Sequence, residues 1–230
     1  SCTMKEITIE IGGVMKKIGY VVFLYLFLNI SIFSKEVENY IYKEGVPPKI
    51  SSEMVLTQVE YIDYNGNDTK GLIVVNRKIA EEVIEIFREI KEAGFQIEKI
   101  IPISEYDWDD DKSMEDNNTS GYNYRFVANT QKLSNHSYGM AIDINPRYNP
   151  MIVKDRISPS NGSYSTENKG TITANSEVVK IFKKSGWKWG GDYKSLKDYQ
   201  HFDKILKWFF SLKVNYATKT NVNIKYYCPV

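Results

Sequence analysis

The sequence predicts an α+β fold, in which a single compact domain contains a small antiparallel sheet flanked by helices. Two observations predict this fold. Runs of β-forming residues and a clear helical periodicity alternate along the chain, and the polar clusters fall in the segments between them. In addition, a chain of 230 residues, 42% of them hydrophobic, is long enough to bury the core of one ordinary domain.

The first half of the domain carries the clearest elements. Met54 to Ile62 is rich in β-forming residues and predicts a strand, and Leu72 to Val75 predicts a second, shorter strand. Asn76 can then cap a helix, because four apolar residues recur after it at helical spacing: Ile79, Val83, Phe87 and Ile90. Gly94 is expected to end this helix.

The segments that follow alternate between regular structure and polar loops. Gln96 to Ile103 predicts a strand, and Asn175 to Ser185 predicts a short helix ended by Gly186. Between them, Tyr106 to Asn123 is predicted to be a long polar loop. Its three adjacent carboxylates, Asp109 to Asp111, lack the interleaved spacing of a calcium loop, so a solvated acidic loop is the preferred interpretation.

A strand is also predicted from Met140 to Ile144, where apolar residues alternate with others. Met140, Ile142 and Ile144 would point to one side, and Ala141 and Asp143 to the other. This alternation predicts a half-buried strand that presents a carboxylate on the open face of the sheet.

The N-terminal segment has the pattern of a secretory signal. Met15-Lys16-Lys17 gives a short positive start, Ile18 to Phe33 is almost wholly apolar, and Ser34 offers a small residue for cleavage. We therefore expect residues 1–34 to be a signal peptide with an upstream extension, and the protein to be exported to the periplasm, cell envelope or extracellular space. The alternatives are an uncleaved anchor, through which alone the protein would contact the membrane, or a buried core helix.

The charge balance and the cysteine content argue against nucleic-acid binding and against a zinc site built from cysteines. Thirty basic residues are balanced by twenty-nine acidic ones, giving a formal net charge of +1, so nucleic acid is not expected as a partner. The two cysteines, Cys2 and Cys228, lie at opposite ends of the chain and form no CxxC pair. A zinc site built from cysteines is therefore excluded.

The two histidines of the chain, His136 and His201, both lie in polar surroundings and are candidate metal ligands. Gly139 permits a tight bend after His136, which would bring this histidine towards Asp143 on the following strand. Two histidines and one carboxylate, with an open fourth position for water, are the ligand set of a catalytic zinc site. A purely structural role for each residue is the alternative.

Two further residues are candidates for the chemistry. Asp198 precedes His201 by three residues, an offset that brings both side chains to one side of a turn or a helix start. A carboxylate beside the metal that is not a ligand can act as a general base and then as a proton donor. Arg125, if it lies near the metal, can polarise the scissile carbonyl and stabilise the oxyanion.

These residues fall in spaced blocks that resemble a known signature. The blocks are Ser134-x-His136-x-x-Gly139-x-Ala141-x-Asp143 and Asp198-x-x-His201, with Tyr122-Asn123-Tyr124-Arg125 before them and Gly186-Trp187-x-Trp189-Gly190-Gly191-Asp192 between them. In this order they resemble the D-alanyl-D-alanine carboxypeptidase and L-alanyl-D-glutamate peptidase family. That family includes vancomycin-resistance-type carboxypeptidases and phage endolysins. The resemblance covers about Val55 to Phe202.

The resemblance implies a role for each matching residue. It implies that zinc is held by three residues (His136, Asp143 and His201), that Asp198 is the catalytic acid and base, and that Arg125 stabilises the oxyanion on the substrate. Ser134 matches a serine that supports substrate or ligand orientation. The carboxypeptidase branch usually has Glu where this chain has Asp198, so the endopeptidase branch is the nearer match. Tyr124 departs from the pattern, because close relatives often have Cys there.

The function predicted in this way is that of an exported zinc metallopeptidase acting on peptidoglycan stem peptides. An L,D-endopeptidase is slightly favoured over a D,D-carboxypeptidase. The alternative is a non-catalytic, zinc-containing module that binds the cell wall. The predicted organisation places a linker at 35–50, the zinc peptidase domain at 51–213 and a C-terminal tail at 214–230.

Overall fold

The structure is a computed structural model that describes residues 37–128 and 130–205. The predicted signal peptide and the predicted C-terminal tail lie outside these residues. Within the described ranges, none of the helices has the length and apolar character needed to cross a membrane. Part of the predicted linker is helical, at 37–41 and in α1 (Pro48–Ser51), and Ile41 is buried beside Met54 and Tyr122.

The chain begins its regular structure with a hairpin and a helix. Strands β1 (Met54–Ile62) and β2 (Asp68–Asn76) pair antiparallel along their whole length, which confirms the first predicted strand and extends the second. Helix α2 (Ala80–Glu92) turns its apolar side to this hairpin and ends before Gly94, as predicted. The buried residues of that side are Val83, Ile86, Phe87 and Ile90.

The segment predicted as a strand at 96–103 is mostly irregular. Only β3 (Lys99–Ile100) is extended, pairing in parallel with β4 (Asn118–Thr119), and a 3-10 turn begins directly after Pro102. Proline has no N–H for a strand ladder, which limits the strand here. The predicted polar loop also contains a short helix, α3 (Asp110–Glu115), because Asp109 caps it by accepting the Lys112 amide at 3.1 Å.

Two small antiparallel sheets form the second half of the domain. Strand β5 (Ala141–Asp143) pairs with β10 (His201–Asp203), which also pairs with β8 (Lys188–Trp189). The other sheet joins β7 (Arg156–Ser158), β6 (Met151–Val153) and β9 (Lys197–Asp198) in that order.

The last helix, α4 (Glu177–Lys184), confirms the prediction of a short helix ended by Gly186. Its buried Phe182 stacks on Phe202 of β10, so the helix packs under the sheet that carries His201. The mixture of helices with small, mainly antiparallel sheets confirms the predicted α+β class.

Candidate metal centre and catalytic residues

His136 is carried by a tight 3-10 turn, Asn135–Tyr138, at the entrance to β5. The Ser134 hydroxyl caps the turn by accepting the His136 amide at 3.3 Å. Gly139 closes the turn with a φ of 61°, in the left-handed region. A Cβ at Gly139 would lie 2.5 Å from the backbone nitrogen of Asn76, so only glycine lets the turn pack on the end of β2.

Asp143 and His201 are brought together by strand pairing. They are directly opposite each other in the antiparallel pair of β5 and β10, so both side chains project from the same face. Nδ1 of His201 lies 2.9 Å from Oδ1 of Asp143. The prediction of a half-buried strand with an open face is wrong, because all three residues of β5 are buried and Asp143 is only 5% exposed.

His136 is the third residue, and its Nε2 atom faces the side chains of Asp143 and His201. Nδ1 of His136 donates a hydrogen bond of 2.6 Å to the carbonyl of Gly121, which fixes the tautomer and leaves Nε2 as the free ligand atom. This Nε2 lies 3.1 Å from Oδ2 of Asp143 and 3.2 Å from Nδ1 of His201. The structure thus joins the three predicted ligands, here named the His-Asp-His cluster.

The spacing of the cluster fits a zinc ion. Tetrahedral ligands at about 2.0–2.1 Å from zinc are separated from one another by about 3.3 Å. The three separations in the cluster, 3.1, 3.2 and 2.9 Å, lie slightly below this value. Since imidazole and carboxylate are also ordinary zinc donors, the cluster could hold this metal with small adjustments.

Burial and the neighbouring charges shift the pKa values of Asp143 and His201 in the cluster. Burial by itself would raise the pKa of Asp143, but His136 and His201 hold it well below its usual range. Burial would lower the pKa of His201, but the hydrogen bond that it donates to Asp143 and the surrounding carboxylates raise it to about 9. In the metal-free protein the cluster therefore holds a proton that a metal ion must displace.

Asp198 lies beside the cluster without belonging to it. It stands at the end of β9, where Gly190 packs so closely that a Cβ there would lie 2.4 Å from the Asp198 carbonyl oxygen. Burial raises the pKa of Asp198 to about 6, while the charge of His201 lowers this pKa and the charge of Asp143 raises it. Its Oδ1 is buried and meets no hydrogen-bond partner within the described chain. Such an atom is free to exchange a proton with a bound molecule.

Arg125 and Ser134 lie along the same turn as His136. The backbone nitrogen of Arg125 donates to Oγ of Ser137 at 2.9 Å, and its carbonyl accepts the amide of Ser134 at 3.0 Å. The guanidinium, however, forms an ion pair of 2.9 Å with Asp110. The oxygen of Ser134 is engaged in capping the turn, and its contact with substrate remains a prediction.

Sequence reasoning missed two residues that this arrangement involves. Asp110 was assigned to a solvated acidic loop, but it binds Arg125 and also accepts Nδ2 of Asn123 at 3.0 Å. Asp203 is buried and accepts Nδ2 of Asn135 at 2.7 Å, which fixes the residue next to His136. These three contacts join residues 13 to 68 positions apart, so no helical or strand periodicity could have indicated them.

Comparison with known proteins agrees with this geometry. Residues 128–204 match the family model described as D-alanyl-D-alanine carboxypeptidase, and this segment includes Ser134, the His-Asp-His cluster and Asp198. No solved structure matches the chain. This match is consistent with the family resemblance of the motifs, over the segment that carries the cluster.

Proposed function

Starting from this family match, we propose that the protein is a zinc-dependent peptidase that hydrolyses peptide bonds in peptidoglycan stem peptides. The observation that carries the proposal is the His-Asp-His cluster, with ligand atoms 2.9–3.2 Å apart, together with the unpartnered Oδ1 of the neighbouring Asp198. A metal site for stability alone does not require a buried carboxylate with a free oxygen at its edge.

Three residues would hold the metal: His136 through Nε2, His201 through Nδ1, and Asp143 through a carboxylate oxygen. A bound zinc ion supplies Lewis acidity, which polarises a carbonyl group and lowers the pKa of water. Gly121 keeps Nε2 of His136 aimed at the cluster, and the strand register keeps Asp143 beside His201.

Asp198 would move the proton. In its ionised form the free Oδ1 accepts a proton from the attacking water and later gives it to the leaving amine. Arg125 would bind the carbonyl oxygen of the scissile bond, and its positive charge stabilises the negative charge that develops there. Because Arg125 is also paired with Asp110, its guanidinium is held in place before the substrate arrives.

We propose an L,D-endopeptidase rather than a D,D-carboxypeptidase, because an aspartate at position 198 is nearer to the endopeptidase pattern.

Digestion of purified peptidoglycan tests whether the protein is a zinc-dependent peptidase and which bond it cleaves. The zinc-loaded protein should release new amino groups, and chelator treatment should abolish the release until zinc is restored. Mass spectrometry of the fragments identifies the bond: an endopeptidase exposes a D-glutamate amino terminus, whereas a carboxypeptidase liberates free D-alanine. Binding to the wall without any new amino groups would instead identify a non-catalytic module and refute the proposal.

We also propose that the protein is exported, because Lys16-Lys17 and the apolar run to Phe33 form a signal pattern. N-terminal sequencing of the protein from native cells should find a start near Lys35. An intact N-terminus in a membrane fraction would favour an anchor, and an intact N-terminus in the cytoplasm would refute export.

A further inference from the structure

The carboxylate of Asp110 binds two different side chains, one with each oxygen. Oδ2 forms the ion pair with Nη2 of Arg125 at 2.9 Å, and Oδ1 accepts Nδ2 of Asn123 at 3.0 Å. Since Arg125 and Asn123 bind the same carboxylate, their side chains lie on the same side of the segment 123–125. Asp110 is therefore placed to fix the orientation of both.

This arrangement leaves one polar atom of each side chain without a partner. An ionised carboxylate only accepts hydrogen bonds, so Asn123 must turn its nitrogen to Asp110, and its Oδ1 faces elsewhere. Both Oδ1 of Asn123 and Nε of Arg125 are buried and have no hydrogen-bond partner among residues 37–128 and 130–205. Buried polar groups are normally paired, so a free donor and a free acceptor on two side chains that share one carboxylate point to a polar ligand.

The pair lies next to the residues that would hold zinc. The backbone nitrogen of Asn123 donates to the carbonyl of His136 at 3.2 Å, and Arg125 is bonded through its backbone to Ser134 and Ser137. The segment that carries the free donor and acceptor is therefore bonded through its backbone to the turn that carries His136.

Two residues shortly before Asp110 have an energetically unfavourable backbone conformation. Asp107 and Trp108 both have positive φ, 56° and 63°, which is uncommon for residues other than glycine and rare for a bulky one. The ring of Trp108 is held edge-on against the buried Tyr122, with ring centroids 5.9 Å apart. Such strain persists only where the surrounding packing enforces it, and here it sets the start of α3 and the position of Asp110.

We propose that Asp110 is a positioning residue that holds Arg125 and Asn123 as a donor and acceptor pair for one residue of the substrate. In an extended chain the C=O and the N–H of the same residue point to the same side, so Nε of Arg125 can bind the carbonyl oxygen and Oδ1 of Asn123 can bind the N–H. The ligand class is thus an extended peptide backbone, bound at the residue that contributes the scissile carbonyl. The inference rests on the proposed peptidase function and specifies how that function orients its substrate.

Asp110→Asn is the main test variant, because it keeps the size of the side chain and removes its charge. The new amide presents a nitrogen to Asn123, which must rotate and replace its free acceptor with a donor. We expect kcat/KM on a stem-peptide substrate to fall about 10- to 100-fold, as for misplaced positioning groups, with zinc content and Tm unchanged. Asp111→Asn is the matched control, since it removes the same charge from an exposed position of the same helix and should stay within about twofold of wild type.

A double-mutant cycle separates positioning from a general structural effect. If Asp110 acts through Arg125, Asp110→Asn should cost several times less in an Arg125→Ala background than in the wild type. Equal losses in both backgrounds, or no loss in the single variant, would overturn the inference while leaving the peptidase function intact. A wild-type protein that releases no products would refute the peptidase function, and the inference with it.

Discussion

Replacing Asp198 by Asn tests the division of roles within the site most directly. The change preserves the volume of the side chain and the close packing against Gly190, so the fold and the His-Asp-His cluster should remain intact. The amide cannot accept the proton that the free Oδ1 of Asp198 is proposed to take. The variant should therefore bind about one zinc per chain, as the wild type does, but turn over slowly.

The expected loss of rate requires that Asp198 is ionised in the wild type at neutral pH. With its pKa raised to about 6, Asp198 is about 90% ionised at pH 7, so nearly every wild-type molecule has its base available. Removing a general acid and base typically costs about 10²–10⁴-fold in rate, and we expect kcat to fall within this range. In the wild type the rate should fall as the pH drops below about 6, because the base becomes protonated, and a bound cation would move this limb lower still.

Rate and zinc content should be measured on the same preparations. Amino-group release from peptidoglycan reports turnover, and elemental analysis reports the metal. Asp192→Asn is the matched control, because Asp192 is a half-exposed partner of Lys183 and such surface pairs contribute little. Loss of zinc from Asp198→Asn would make Asp198 a ligand, and full activity with full zinc would place the base elsewhere.

Three further predictions concern the metal and its support. Ala at His201 should remove both zinc and activity, and full zinc content by elemental analysis would refute the ligand assignment. In chelator-treated protein, the raised pKa of His201 gives stability that is complete below about pH 6.5 and lost as the pH rises through about 9, so Tm should fall across this window. Zinc-loaded protein, in which His201 is neutral, should lack this loss. Gly139→Ala should destabilise the fold by about 1–3 kcal/mol and weaken zinc binding, because its Cβ would overlap Asn76; an unchanged Tm and zinc affinity would contradict the packing argument.

The elements best predicted from the sequence are those with a purely local signal. Strand β1 matches its prediction from end to end, and α2 follows the spacing of its four apolar residues, because period and propensity act within one element. The strand expected at 96–103 is mostly wrong. Its pairing is limited to a two-residue ladder with β4 and an isolated bridge from Gln96 to Ile62, and Pro102 has no N–H to extend the ladder.

The residues of the candidate site could be predicted from the sequence, but the contacts between their side chains could not. With only two histidines in the chain and Asp143 at the end of an alternating run, the ligand set could be named from residue types and spacing. Asp110 could not be distinguished from its neighbours Asp109 and Asp111, because in sequence all three are equivalent carboxylates. Only the fold makes one a helix cap, one a partner of Arg125 and one exposed.

The sequence by itself thus indicated the α+β class, the candidate ligands and the candidate base, through residue types, local spacing and the resemblance of the spaced blocks to a known family. The tertiary structure decided which atoms meet. His136 and His201 are 65 residues apart, yet the pairing of β5 with β10 and the turn closed by Gly139 bring their ring nitrogens to 3.2 Å. It also decided the protonation of the site, because the burial that raises the pKa of Asp198 exists only in the folded chain.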